Sequence, residues 1–143
     1  MCGPIGTAYT CTMTSTLPTA PATETAHDVA TAFLSALERR DFHGAATLLA
    51  PHASIRALTP KRVFEGAGPA FLEERLTTWF GGDDAYAVVG TTDVLTGVKH
   101  NLTWRIALAD PEGAVRQAEQ HAFARISDRI ESIDLVCSGF WDA

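Results

Sequence analysis

Residues 109–114 read ADPEGA, and the strand-like runs VKHNLTWRIAL (98–108) and VRQAEQHAFARI (115–126) flank them. This loop decides which side chains of the two runs share a face. Pro111 fixes φ at the second turn position, Asp110 caps the turn, and Gly113 tolerates positive φ. A three-residue loop with a glycine bulge pairs Asp110 with Ala114. Trp104 then faces Gln120, Leu102 faces Ala122, Ile106 faces Ala118 and His100 faces Ala124.

Side chains alternate along a strand, so the even-numbered residues of both runs lie on one face. That face carries His100, Leu102, Trp104, Ile106, Leu108, Ala118, Gln120, Ala122, Ala124 and Ile126, and it is apolar. The opposite face carries Lys99, Asn101, Thr103, Arg105, Gln117, Glu119, His121, Phe123 and Arg125. Arg105 stands across from Glu119, as a cross-strand ion pair requires. Turn chemistry and polarity agree independently. His100 is therefore expected inside, and His121 with Glu119 outside.

Upstream, TAHDVATAFLSALERRD (25–41) places Val29, Ala30, Phe33, Leu34 and Leu37 on one helical stripe, with Thr25 as a candidate N-cap. DFHGAATLLAP (41–51) reads as a second short helix capped by Asp41 and ended by Pro51. HASIRAL (52–58) reads as a short strand and TPKRVFEGAG (59–68) as a loop. PAFLEERLTTWFGG (69–82) predicts a third helix, opened by Pro69 and stopped by the glycine pair. Long strands are expected over roughly 84–95, 98–109, 114–127 and 130–140, with Ile133, Leu135 and Cys137 facing inward. Helices followed by a run of strands argue for an α+β fold: a curved antiparallel sheet packed on three helices, enclosing a cone-shaped cavity.

The length of 143 residues suits one domain. A net charge of −6 disfavours nucleic acid and anionic membranes as partners. No apolar run approaches the roughly 20 residues needed to span a bilayer. Residues 1–24, rich in Thr, Pro and Ala, read as an N-terminal tail, with 25–143 as the domain. Met13 is an alternative start. The cysteines are Cys2, Cys11 and Cys137, with no CxxC and no metal-ligand spacing, so a reduced cytoplasmic chain is expected; a Cys2–Cys11 disulfide is the other reading. No metal site and no cofactor are expected.

AFLSALERRDFHGAATLLAPHASI (32–55), FEGAGPAFLEERL (64–76), RISDRIESIDL (125–135) and LVCSGF (135–140) together resemble the nuclear transport factor 2-like (cystatin-like) superfamily, in its SnoaL-like branch. The resemblance implies a helix-capped cone with a deep pocket, often a homodimer. It also implies a small-molecule enzyme of secondary metabolism or a non-catalytic binding module. The steroid-isomerase pattern of Tyr, Asp and a second acid falls on Phe33, Ala57 and Ala122, so all three of its functional groups are missing. The resemblance places Arg56, Lys61 and Arg62 around the pocket mouth, either drawing an acidic ligand or simply solvated.

The function expected is a cofactor-independent cyclase, isomerase or dehydratase acting on a hydrophobic, polyketide-like substrate. The alternative is a ligand-binding or accessory dimeric module, and a third possibility is an interaction module using Phe123 and Val115 on the outer sheet face. His100 is the candidate acid–base group, as the one inward group expected to titrate near neutrality. Trp104 is the candidate stacking platform and Gln120 the candidate carbonyl-orienting amide. Leu102, Phe33, Ala122, Leu135 and Cys137 are the remaining candidate substrate-binding residues. Each also has a structural reading: a hydrogen-bonded rim histidine, a core aromatic, a satisfied amide, a small buried thiol.

Overall fold

A computed structural model describes residues 19–143. In chain order the elements are α1 (Thr19–Glu38), α2 (Phe42–Ala46), β1 (Leu49–Leu58), β2 (Val63–Ala67), α3 (Pro69–Phe80), β3 (Ala85–Thr96), β4 (Lys99–Ala109), β5 (Val115–Ile126), β6 (Ile130–Cys137) and β7 (Trp141–Asp142). The strands form one curled sheet in the order β2-β1-β6-β5-β4-β3, with β7 added against β5. The helices pack on its concave side, giving the α+β cone expected from sequence.

The 110–114 turn forms as its residues dictate. The Asp110 N–H donates to the Ala114 carbonyl at 3.0 Å, and the Gly113 N–H to the Asp110 carbonyl at 2.9 Å. The Asp110 carboxylate accepts from the N–H groups of Glu112 and Ala114. Gly113 takes φ +91°. The β4–β5 register follows: Trp104 opposite Gln120, Leu102 opposite Ala122, His100 opposite Ala124. The even-numbered face from His100 to Ala124 is buried apart from Arg116, beside the turn, while Arg105, His121, Phe123 and Val115 are exposed on the other.

Several expected boundaries are corrected. α1 begins at Thr19, inside the stretch read as tail, so Thr25 lies within the helix and is not its cap; Pro21 falls in the first turn, where no N–H is required. The Cys2–Cys11 pairing and the role of Met13 lie outside the described residues. α2 is capped by Asp41, which accepts from the Gly44 N–H at 2.8 Å, but it ends at Ala46 and Pro51 sits inside β1. Pro51 is tolerated because the β1–β6 register is interrupted between Leu49 and Ser54, where no ladder N–H is needed. The loop at 59–68 contains β2, an edge strand antiparallel to β1, whose Gly and charged residues mask its alternation. The sheet is mixed: β1 and β6 run parallel, with Arg56 beside Asp134 and Ala57 beside Leu135. A parallel pair needs a long crossover, and here the intervening chain supplies it. The strand expected over 130–140 breaks after Cys137, where Gly139 adopts φ +75° and the chain resumes as β7.

α1 buries Ala26, Ala30, Phe33, Leu34, Ala36 and Leu37, and α3 buries Leu72, Leu76 and Phe80. One residue ties the helices together. Arg40 donates to the carbonyls of Phe80 at 2.7 Å, Gly82 at 2.7 Å and Asp84 at 3.1 Å, capping the C-terminal end of α3, where unpaired carbonyls concentrate negative potential. Its guanidinium also lies over the Tyr86 ring. The Tyr86 hydroxyl donates to the Leu37 carbonyl at 2.6 Å, and burial pushes this phenol up to about 12. Among the described residues no helix is long and apolar enough to cross a membrane.

Two outcomes test this framework. A Cβ at Gly113 would meet open space, so Gly113→Ala carries only the left-handed backbone penalty, a loss of about 1 kcal/mol in chemical denaturation. His43 on α2 bonds Glu73 on α3 at 2.9 Å, and that carboxylate raises the imidazole above its ordinary value of 6.5. A raised folded value gives stability that is full below 6.5 and fades as pH rises through the folded value. The Tm difference between wild type and His43→Ala is therefore expected to be largest near pH 5.5 and to shrink by pH 9.

Candidate functional site

The inner face of the sheet presents a row of three side chains in register. Trp104 on β4 lies beside Gln120 on β5, and Gln120 beside Cys137 on β6. Trp104 and Gln120 are fully buried, while Cys137 is half-buried. The Trp104 indole Nε1–H donates to Gln120 Oε1 at 3.1 Å. An indole nitrogen only donates, so this bond fixes which end of the amide is which. Phe33 from α1 packs edge-on against Trp104, with ring centroids 5.8 Å apart. Leu102, Ala122 and Leu135 are buried beside them.

His100, further along β4, is also buried. Its Nδ1–H donates to Asp93 Oδ1 at 3.0 Å, and the other oxygen of Asp93 accepts from His27 Nδ1 at 3.1 Å. Asp93 comes from β3, opposite Leu102, and only 13% of its side chain is exposed, against 64% for His27 on α1. The carboxylate thus links a buried imidazole to a solvated one.

A hollow of about 660 Å³ opens at the other end of the sheet. Its walls are the β1–β2 loop (Thr59, Pro60, Lys61, Arg62), Phe64 of β2, the end of α3 (Trp79, Phe80) and the segment Cys137–Phe140. Four aromatic rings meet there edge to face: Phe64 on Trp79, Trp79 on Phe80, and Phe80 on Phe140. The guanidinium groups of Arg62 and Arg75 lie 4.4 and 4.8 Å from the centre of the Phe64 ring, a favourable cation–π arrangement. Gly139 closes one side: with φ +75°, its missing Cβ would stand 2.9 Å from the Pro60 ring. The Cys137 sulfur accepts from the Gly139 N–H at 3.4 Å.

No protein-family model and no curated protein sequence matches the chain. Solved structures do. A provisionally named ketosteroid isomerase from Kribbella flavida is 15% identical over 84% of this chain and 82% of its own, with a TM-score of 0.60. A provisionally named polyketide cyclase from Xanthomonas campestris is 14% identical over 79% and 90%, with a TM-score of 0.61. TerC, co-crystallised with polyporic acid, is 13% identical over 78% and 89%, with a TM-score of 0.57. The chain has the nuclear transport factor 2-like fold.

Within this nuclear transport factor 2-like cone, the structure brings Phe33, Leu102, Trp104, Gln120, Ala122 and Leu135 together as a packed interior. Of the candidate catalytic and substrate-binding residues, Cys137 is in the wall of the 660 Å³ hollow, and His100 is not. Phe33, Ala57 and Ala122, onto which the sequence resemblance sets the steroid-isomerase pattern, are all buried apolar groups. Arg62 and Lys61 are at the mouth of the hollow, whereas Arg56 lies outside it, paired with Glu65 at 3.4 Å. On the convex face, Arg105 and His121 both donate to Glu119 at 2.6 Å. They hold its carboxyl below the usual range, His121 first and Arg105 next. Among the described residues no cluster of His, Cys, Asp or Glu could hold a metal ion.

Asp93 and the aromatic walls were missed in the sequence. Asp93 had a usable signal: Gly97, at φ +63°, turns β3 into β4 and sets Thr96 opposite Lys99, hence Asp93 opposite Leu102. Phe64 had none, because the sequence around it reads as loop, and Phe140 had none, because it reads as the end of a strand over 130–140. His100→Ala leaves the Asp93 carboxylate without its buried partner, and a loss of about 2 kcal/mol is expected in denaturant titration. Ligand affinity in the hollow should stay unchanged.

Proposed function

We propose that this chain binds a flat, apolar, anionic small molecule of the aromatic-polyketide kind in the hollow between the β1–β2 loop, α3 and the end of β6. The observation that carries the reading is the pairing of four aromatic rings with two cationic side chains, Lys61 and Arg62, at the mouth. Aromatic walls bury the body of a planar ligand, and the cations at the rim meet its charge. Co-crystallisation of one neighbour of the same fold with polyporic acid supports the chemistry.

The binding reading leads because of what the walls contain. A cyclase or isomerase moves a proton and needs an acid–base group within hydrogen-bond reach of the reacting atom. The walls hold no His, Asp or Glu. A second reading keeps the catalytic role for His100, and the Asp93 contact favours it: a carboxylate on Nδ1 orients the ring and leaves Nε2 as the working nitrogen. On that reading His100→Ala abolishes turnover of a polyketide-like substrate while its binding persists; on the leading reading the ligand is returned chemically unaltered.

Anthracene-2-carboxylate is a suitable probe, followed by quenching of Trp79 fluorescence. Wild type is expected to bind it, and the Lys61→Ala/Arg62→Ala double variant to bind about tenfold more weakly at low salt, with a smaller dependence on ionic strength. No binding by wild type, or an affinity that the double variant leaves untouched, removes the proposal.

A further inference from the structure

The Gln120 amide has one arm in use and one idle. Its oxygen accepts from Trp104 on β4, while its Nε2 is buried without a hydrogen-bond partner. Buried side-chain donors are nearly always paired, and an idle one carries a desolvation penalty. The amide cannot relieve this by flipping, since the flip would set two donors against each other.

β5 lies between β4 and β6. The oxygen arm of this planar group is held by β4, and the strand on the other side of β5 is β6. The β6 residue in register with Gln120 is Cys137, which is in the wall of the aromatic hollow. The residue carrying the idle donor is thus the register neighbour of Cys137, which lines the hollow.

We propose that Gln120 is a specificity-determining residue: its Nε2–H donates to a carbonyl oxygen of a ligand that reaches past Cys137 from the hollow. This rests on the reading of the hollow as a ligand site and adds the functional group the ligand must carry. The ligand class becomes a planar aromatic anion with a ring carbonyl, such as a quinone or aromatic ketone acid. A ligand without the acceptor leaves the donor buried and unpaired, so the site selects against it.

Anthraquinone-2-carboxylate and anthracene-2-carboxylate share a tricyclic frame and a charge, and differ in the ring carbonyls. Wild type is expected to bind the quinone about tenfold more tightly, the size of one buried hydrogen bond. Gln120→Met, close in shape and without the donor, should bring the two affinities within about twofold. In the wild-type protein with 15N-labelled glutamine, the Gln120 side-chain amide resonance should shift with the quinone and not with the anthracene acid. This second readout does not depend on the variant folding. Equal affinities in wild type, a preference that survives Gln120→Met, or an unmoved amide resonance each overturn the inference while leaving the hollow as a binding site. If neither acid binds, the reading of the hollow fails, and this inference with it.

Discussion

The five residues from Asp110 to Ala114 set the register on which the rest of the molecule depends. Asp110 supplies a carboxylate to two backbone N–H groups, and Gly113 supplies the positive φ that closes the loop. A slip of one residue in this hairpin would send Trp104 and Leu102 to solvent and draw Arg105 and Thr103 inward. The core would then hold an unpaired guanidinium in place of an indole, at a cost no local rearrangement could offset. Strands β3 and β6 pair onto this hairpin, so its register is passed to the whole row from Asp93 to Cys137.

A second constraint acts on the helices. Arg40 caps the end of α3 while packing on Tyr86, whose hydroxyl bonds the end of α1. The two helix ends and β3 are thereby held together, and Trp79 and Phe80 are set as walls of the hollow. Phe33, Trp104 and their neighbours pack as a buried cluster, and the 660 Å³ hollow lies beside the end of α3. Phe33, Ala57 and Ala122 all belong to that buried cluster. The hollow thus lies away from Phe33 and Ala122, beside Lys61 and Arg62.

Among the described residues three buried side-chain polar atoms lack a partner, Arg75 Nε, Asn101 Oδ1 and Gln120 Nε2, and of these three residues Gln120 alone is fully buried. His100 is matched by Asp93, Trp104 Nε1 by Gln120 Oε1, and the carbonyls at the end of α3 by Arg40. Against that background the idle Gln120 nitrogen is an exception, and its position next to Cys137 gives the exception a chemical direction.

The sequence by itself determined the hairpin, its faces and the burial of His100, Trp104 and Gln120, because turn geometry and two-residue alternation are local rules that act between neighbours in the chain. It also determined the helical stripe of α1 and the existence of α3. It could not reveal β2 or the parallel pairing of β1 with β6, since each depends on partners distant in sequence. Nor could it reveal the hollow. Phe64, the Trp79–Phe80 pair and Phe140 come from three separate stretches of chain, and only the closure of the sheet around α3 makes them neighbours. Asp93 lies between these cases: the Gly97 turn made its pairing legible, but its grip on His100 and His27 needed α1 to cross the sheet at that point, which tertiary packing alone decides.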